Sequence, residues 1–265
     1  MRRLVVLIVL GFVGAFLGCA KEQTVDGIVA KITEASGGAE ALAAVQDQVG
    51  DWDFTMKIMP PMETEAKAGE HAEMQGLPPT MPMKITFKRP HKIRFDFLEP
   101  DGTPMMSSVY DGESGWESKM GQTTAMNEDQ LHETETMAAT WLDGLKNYKD
   151  LGMTLTKLPN ETVDNQEYLV LQSTDKYGSV QKYYINPTTY YVERQSGEMV
   201  NMQGQKEQMT MVFKDYKKAD GLATPNYVAQ YNKDGEMIWE ATLKEVKFNT
   251  GVADDVFMTT AVSAK

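Results

Sequence analysis

Three histidines, one cysteine and 19 methionines are the side chains of this 265-residue chain whose chemistry can be tested first. His71, His91 and His132 fall in a proline-rich loop, a strand turn and a helical stretch. None has a histidine or cysteine partner at ligand spacing, so no zinc site is expected. Met59, Met62, Met74, Met81 and Met83 share the loop of His71. Thioethers with an imidazole could hold Cu(I), but methionine and proline resting on apolar surface is the simpler reading. No Gly-x-Ser-x-Gly elbow or phosphate-binding glycine loop occurs. Acidic pairs such as Asp254-Asp255 and Glu133/Glu135 read as solvated surface. The expectation is a protein that is not an enzyme and carries no cofactor.

The cysteine has a different chemistry. Met1-Arg2-Arg3 is a basic start, and an apolar run follows from Leu4 to Leu17. Small residues and a polar stretch come next, which is the layout of a secretory signal. The run falls short of the roughly 20 residues a membrane-crossing helix needs. Phe16-Leu17-Gly18-Cys19 resembles a lipobox, with Phe16 where leucine is usual. That resemblance implies a diacylglyceryl thioether on Cys19, cleavage before it, and N-acylation. An ordinary signal peptide or an uncleaved anchor is the competing reading. Acyl chains on Cys19 would tie the protein to a membrane. Ala20 stands where an aspartate would resemble an inner-membrane retention mark, which favours the outer membrane, periplasmic face.

The net charge is −12, and cleavage would remove Arg2 and Arg3 as well. An acidic surface argues against nucleic acid as a partner. It also repels anionic headgroups, so the membrane link must come from lipid. No cysteine other than Cys19 exists, so packing and hydrogen bonds must hold the fold. Residues 1–18 read as signal, 19–26 as a lipidated tether, and 27–265 as one domain.

Hydrophobic periodicity supplies the elements. Val25 to Val49 reads as an amphipathic helix broken or kinked at Gly37-Gly38. Trp52, Phe54, Met56 and Ile58 alternate with polar residues as one strand face. Residues 59–82 hold five prolines and read as a long loop. Strands follow at Met83-Ile85-Phe87, Ile93-Phe95-Phe97, Ser107–Tyr110 and Trp116–Met120. Asn127 to Tyr148 reads as a second helical region, capped by Asn127, with Leu131, Met137, Trp141, Leu142 and Leu145 as its apolar face. From Met153 strand follows strand, with breaks at Pro159-Asn160, Asp164-Asn165, Asn186-Pro187, Gly197, Asp220-Gly221 and Asp234-Gly235. That spacing predicts an up-and-down antiparallel sheet, open or curled. The two helical regions would cover one concave face.

Several segments together resemble the outer-membrane lipoprotein-sorting proteins of LolA/LolB-like fold. Ile28-Val29-Ala30-Lys31 through Ser36-Gly37-Gly38 is similar to their opening helix and glycine pair. Phe87-Lys88-Arg89-Pro90-His91-Lys92-Ile93-Arg94 resembles their basic strand pair, and Tyr110-Asp111-Gly112 their turn. Tyr184-Ile185-Asn186-Pro187-Thr188-Thr189, Gly221-Leu222-Ala223-Thr224-Pro225 and Asp254-Asp255-Val256-Phe257 fit in order. The resemblance spans about residues 25–258. It implies a mainly β fold with α: a curved, incomplete antiparallel β-barrel covered by helices on its concave side. It also implies an apolar cavity for acyl chains of lipids or lipoproteins. No arginine matches the carrier's functional one; Arg89 and Arg94 are candidates only.

Two function classes follow. One is a membrane-anchored lipoprotein that binds acyl chains in a cavity lined by Trp52, Phe54, Met56, Phe87, Phe95, Phe97, Trp116, Met137 and Trp141. Trp116 has a second reading, as an aromatic packed beside the turn Asp111–Gly115. The other class is an envelope sensor that uses the same fold to bind a protein partner.

Overall fold

The computed structural model describes residues 23–58, 80–119, 121–201 and 204–258. The signal segment, Cys19, His71, Met59, Met62 and Met74 lie outside the described residues. Among the described residues the α-helices are α1 (Val25–Ala35), α2 (Ala39–Ala44) and α3 (Glu128–Thr140). Before α3 run β1 (Asp47–Met56), β2 (Thr80–Lys88), β3 (Lys92–Leu98), β4 (Pro104–Tyr110), β5 (Gly115–Lys119) and β6 (Gln122–Ala125). After it come β7 (Thr154–Val163), β8 (Gln166–Thr174), β9 (Val180–Ile185), β10 (Val192–Val200) and β11 (Lys206–Lys214). The chain closes with β12 (Lys217–Ala219), β13 (Leu222–Thr224), β14 (Tyr227–Asn232), β15 (Met237–Phe248) and a 3-10 turn, Asp254–Phe257.

Thirteen strands form one antiparallel sheet, ordered β6-β5-β4-β3-β2-β1-β15-β14-β11-β10-β9-β8-β7. Its ends, β6 and β7, are not paired to each other, so the sheet is open. Yet β6 and β7 are consecutive strands, joined only by the segment that holds α3. That segment therefore runs from one edge of the sheet to the other. The link between the two halves of the sheet is β15, whose ladder with β1 runs from Gln48↔Phe248 to Met56↔Trp239.

Local chemistry explains the helix ends. The Thr24 hydroxyl accepts from the Gly27 N–H at 3.1 Å and caps α1, with Asp26 in the first turn. Ile28, Val29 and Ile32 form its buried stripe. Gly37, at φ 127°, ends this run. A Cβ there would stand 2.8 Å from Leu222 Cδ2 and 2.9 Å from the Gly221 carbonyl oxygen. Glycine thus permits both the turn and the docking of the β12–β13 ribbon, where Ala223 N–H donates to the Ser36 carbonyl at 3.0 Å. Asn127 and Gln130 form a reciprocal capping box at the start of α3.

The expected break at Gly37-Gly38 is present, but the following helix is shorter than expected. It ends at Ala44, and β1 begins at Asp47. The reason lies far along the chain: the buried Asp47 carboxylate accepts from Thr250 N–H, Thr250 Oγ1, Gly251 N–H and Val252 N–H at 2.6–3.3 Å. Burial raises its pKa, but these bonds outweigh that and hold it below the usual range. The expected break at Pro159-Asn160 is only an irregularity inside β7, between Leu158 and Glu161. As an edge strand, β7 tolerates a proline. The expected loop to residue 82 gives way to strand at Thr80, and the expected helix to Tyr148 stops at Thr140 and continues as turns.

Candidate functional site

Cross-strand register sets one face of the sheet. Trp52 stands opposite Met83, which stands opposite Phe97; Phe54 stands opposite Met81 and, on its other side, Ala241. Gln48 pairs with Phe87, and Phe87 with Ile93. Alternation then sends all of these side chains to one side. Phe54 meets Phe97 edge-on at 4.9 Å and Trp239 at 5.4 Å between ring centroids. Phe95 meets Trp141 edge-on at 5.9 Å. Trp141 follows α3 directly, so the segment crossing the sheet lies against this face.

Of the residues singled out in the sequence, Trp52, Phe54, Met56, Phe87, Phe95, Phe97 and Trp141 come together in this one cluster. Trp116 and Met137 do not join it. Trp116 pairs with Val109, and Val109 with Arg94, whereas Ile93 and Tyr110 point to the aromatic side. Trp116 therefore lies on the opposite face of the sheet. Met137 sits half-buried on α3, where Thr134 and Ala138 are the buried positions. The cluster also includes Met81, Met83, Ile85, Tyr110, Val228, Trp239 and Leu243, which sequence reasoning did not assign to the cavity. Alternation alone could have flagged Met81 as an extension of Met83. Trp239 needed the β1–β15 pairing.

The indoles carry the polar marks of this face. Trp141 Nε1 donates to Gln48 Oε1 at 3.2 Å, and Trp239 Nε1 donates to Gln230 Oε1 at 2.7 Å. Trp52 Nε1 is buried and has no hydrogen-bond partner among the described residues. It lies over Gly50, where a Cβ would stand 2.8 Å away. A second apolar cluster continues the helical layer: Ile28, Val29 and Ile32 of α1, with Leu145, Tyr148 and Met153, pack against Leu169, Leu171 and Ile185.

Polar contacts fasten the helical layer down. Val200 N–H donates to Glu133 Oε2 on α3. Burial pushes the Glu133 carboxyl up to about 7, against the opposing pull of that bond and of Lys206. Glu135 accepts from Lys176 Nζ at 2.7 Å and from the Tyr177 hydroxyl. Asp129 pairs with Lys206 at 2.7 Å. At the other end, Arg89 donates to the carbonyls of Val45 and Leu42 at 2.7 and 2.9 Å and, bidentately, to Asp143 at 2.8 and 3.1 Å. Burial raises the Asp143 carboxyl, but Arg89 and Lys146 outweigh it and hold it low. Arg94 works on the opposite face, bonded to Asp96 and to the Val256 carbonyl.

Among the described residues, no group of three or more His, Cys, Asp and Glu could hold a metal ion. No described helix is long and apolar enough to cross a membrane.

An open antiparallel sheet with a helical layer across one face defines a class by its architecture, and solved structures share it. A domain assigned to outer membrane lipoprotein sorting, from Vibrio parahaemolyticus, superposes with a TM-score of 0.54 at 16% identity, covering 88% of this chain and 95% of that one. A LolA superfamily protein from Nitrosomonas europaea gives 0.54 at 14% identity, over 86% and 96%. A DUF1329 family protein from Desulfovibrio piger gives 0.56 at 12% identity, over 88% and 97%. The chain has the LolA-like fold. No family model matches its sequence, and no curated protein does.

Proposed function

We propose that this chain is an envelope lipoprotein that binds acyl chains of lipids or lipoproteins between the sheet and its helical layer, acting by binding rather than catalysis. The observation that carries this reading is the aromatic and methionine face under the α3 segment. Each acyl methylene buried there would contribute roughly 0.8 kcal/mol. Methionine and aromatic rings suit a chain without fixed shape. The sheet is taken to curve, with the helices on its concave side. In the form described the helical layer rests on the aromatics, so a ligand would enter by displacing it. Apart from that of Glu133, the polar contacts holding α3 to the turns after β8 and β10 are partly exposed, and lifting α3 would leave the strand ladders intact. Cys19 would carry the lipid anchor, on the periplasmic side of the outer membrane. The lipoprotein-sorting description of the Vibrio domain supports the same reading.

Native mass spectrometry and solvent extraction of the full-length protein, purified from membranes in mild detergent, test the binding claim. A bound species with fatty-acyl mass, lost when Phe54 and Phe97 are both replaced by Asp in a variant that still folds, is expected. Protein that is empty from every host and detergent would sink it. The anchor is tested separately: Cys19→Ser should move the protein from membrane to soluble fractions.

A further inference from the structure

The face of the sheet turned away from the helices carries a second concavity. Arg194, Val212, Thr210 and Tyr231 share that face: Arg194 stands opposite Val212, and Thr210 opposite Tyr231. The tip of the β7–β8 hairpin overhangs them, held by Asp164, which accepts from Arg194 Nη1 at 2.7 Å. Together they enclose an open cleft of about 840 Å³. Pockets for small ligands run from roughly 300 to 1,000 Å³.

Arg194 brings unused donor capacity to this cleft. Glu193, a half-buried carboxylate of the cleft, already accepts two bonds: Oε2 from the Tyr168 hydroxyl at 3.1 Å and Oε1 from Asn186 Nδ2 at 2.9 Å. Arg194 is different. Its side chain is only 23% exposed, yet among the described residues the bond to Asp164 is its single hydrogen bond. A guanidinium has five N–H donors, and Arg194's unbonded ones are not sealed from solvent. Arg194 lines the cleft. Among the described residues the Thr210 and Tyr231 hydroxyls have no hydrogen bond, and Lys214 and Lys233 stand at the margins of the cleft, Lys233 paired with Asp234 at 2.9 Å. Asp164 is 84% exposed. Exposed ion pairs of this kind are worth little, so its carboxylate is readily displaced and marks where an anion's oxygens fit the guanidinium fork.

We infer that this cleft is a binding site for a small soluble organic anion, a carboxylate or phosphate ester, with Arg194 as its anchor and Asp164 as the group it displaces. The inference is independent of the acyl-chain reading, since the two sites lie on opposite faces of the sheet.

Calorimetric titration of the full-length protein in detergent micelles with succinate, inorganic phosphate and glycerol 3-phosphate tests it. At least one should bind saturably with one-to-one stoichiometry, more weakly as salt is raised. Arg194→Gln should weaken that binding at least tenfold. Asp164→Asn should tighten it severalfold, because it removes the competing carboxylate and leaves the arginine in place. Should Arg194→Gln fail to fold, the Asp164→Asn result decides alone. Absence of binding by all three anions, or unchanged affinity in Asp164→Asn, overturns the proposal. Binding confined to vesicles containing phosphatidylglycerol overturns it too, in favour of a headgroup contact.

Discussion

Glu133 holds the most consequential single proton in the helical layer. Its carboxyl sits against Val200 N–H, and burial lifts its pKa from an ordinary 4.5 to about 7. Between those values the folded chain binds more protons than the unfolded one, so this group's contribution to stability falls as pH rises from about 4.5 to 7. Glu133→Gln keeps an acceptor for Val200 and removes the titration. Its melting temperature should therefore exceed the parent's at pH 8 by a few degrees, on the order of 1–3 kcal/mol, with the gap closing by pH 4.5. A gap that stays constant across this range would contradict the assignment. The indoles allow a second test. A double-mutant cycle of Trp141→Phe with Gln48→Met should return a coupling of about 1 kcal/mol in denaturant titrations. The same cycle with Trp52→Phe should return nearly none, since the Trp52 N–H has no partner among the described residues.

At the scale of elements, α3 depends on its first turn more than on its apolar stripe. The capping box of Asn127 and Gln130 starts it, and only Thr134 and Ala138 are buried along it. Asn127→Ala should cost about 1 kcal/mol and raise amide exchange at Asp129 and Gln130 ahead of the sheet, read by hydrogen exchange. This capping was legible in the sequence, as were most strands and the Gly37-Gly38 break, because caps, alternation and turn residues are local signals. What was not legible depended on distant partners. Asp47 looks like the end of a helix until Thr250 and Gly251 are known to bind it. The ribbon β12–β13 looks like a loop around Asp220-Gly221 until it docks on Ser36. The same division holds for the aromatic face: β1, β2 and β3 showed their alternation, so Trp52, Phe87 and Phe97 could be grouped. Trp116 also alternates, but only its register with Val109 tells which face it takes. Arg194 gave no signal at all, since its cleft exists only where a distant hairpin tip leans over it.

For the whole molecule, the two faces divide the chemistry: apolar and helix-covered on one, open and cationic in its cleft on the other. The strand order behind that division also sets an order in time. Six strands, β1 to β6, form one uninterrupted meander, and β7 to β11 with β14 form another. Among the described strands only β15 pairs with both, between β1 and β14. Chains are made amino end first, so β1, with Trp52 and Phe54 on it, waits with one bare side until β15 arrives. A bare apolar strand edge invites pairing with other molecules, and long-range ladders of this kind close slowly. The keystone strand thus leaves one edge of β1 open to stray pairing during synthesis, an exposure that ends once Phe54 and Ala241 lie side by side.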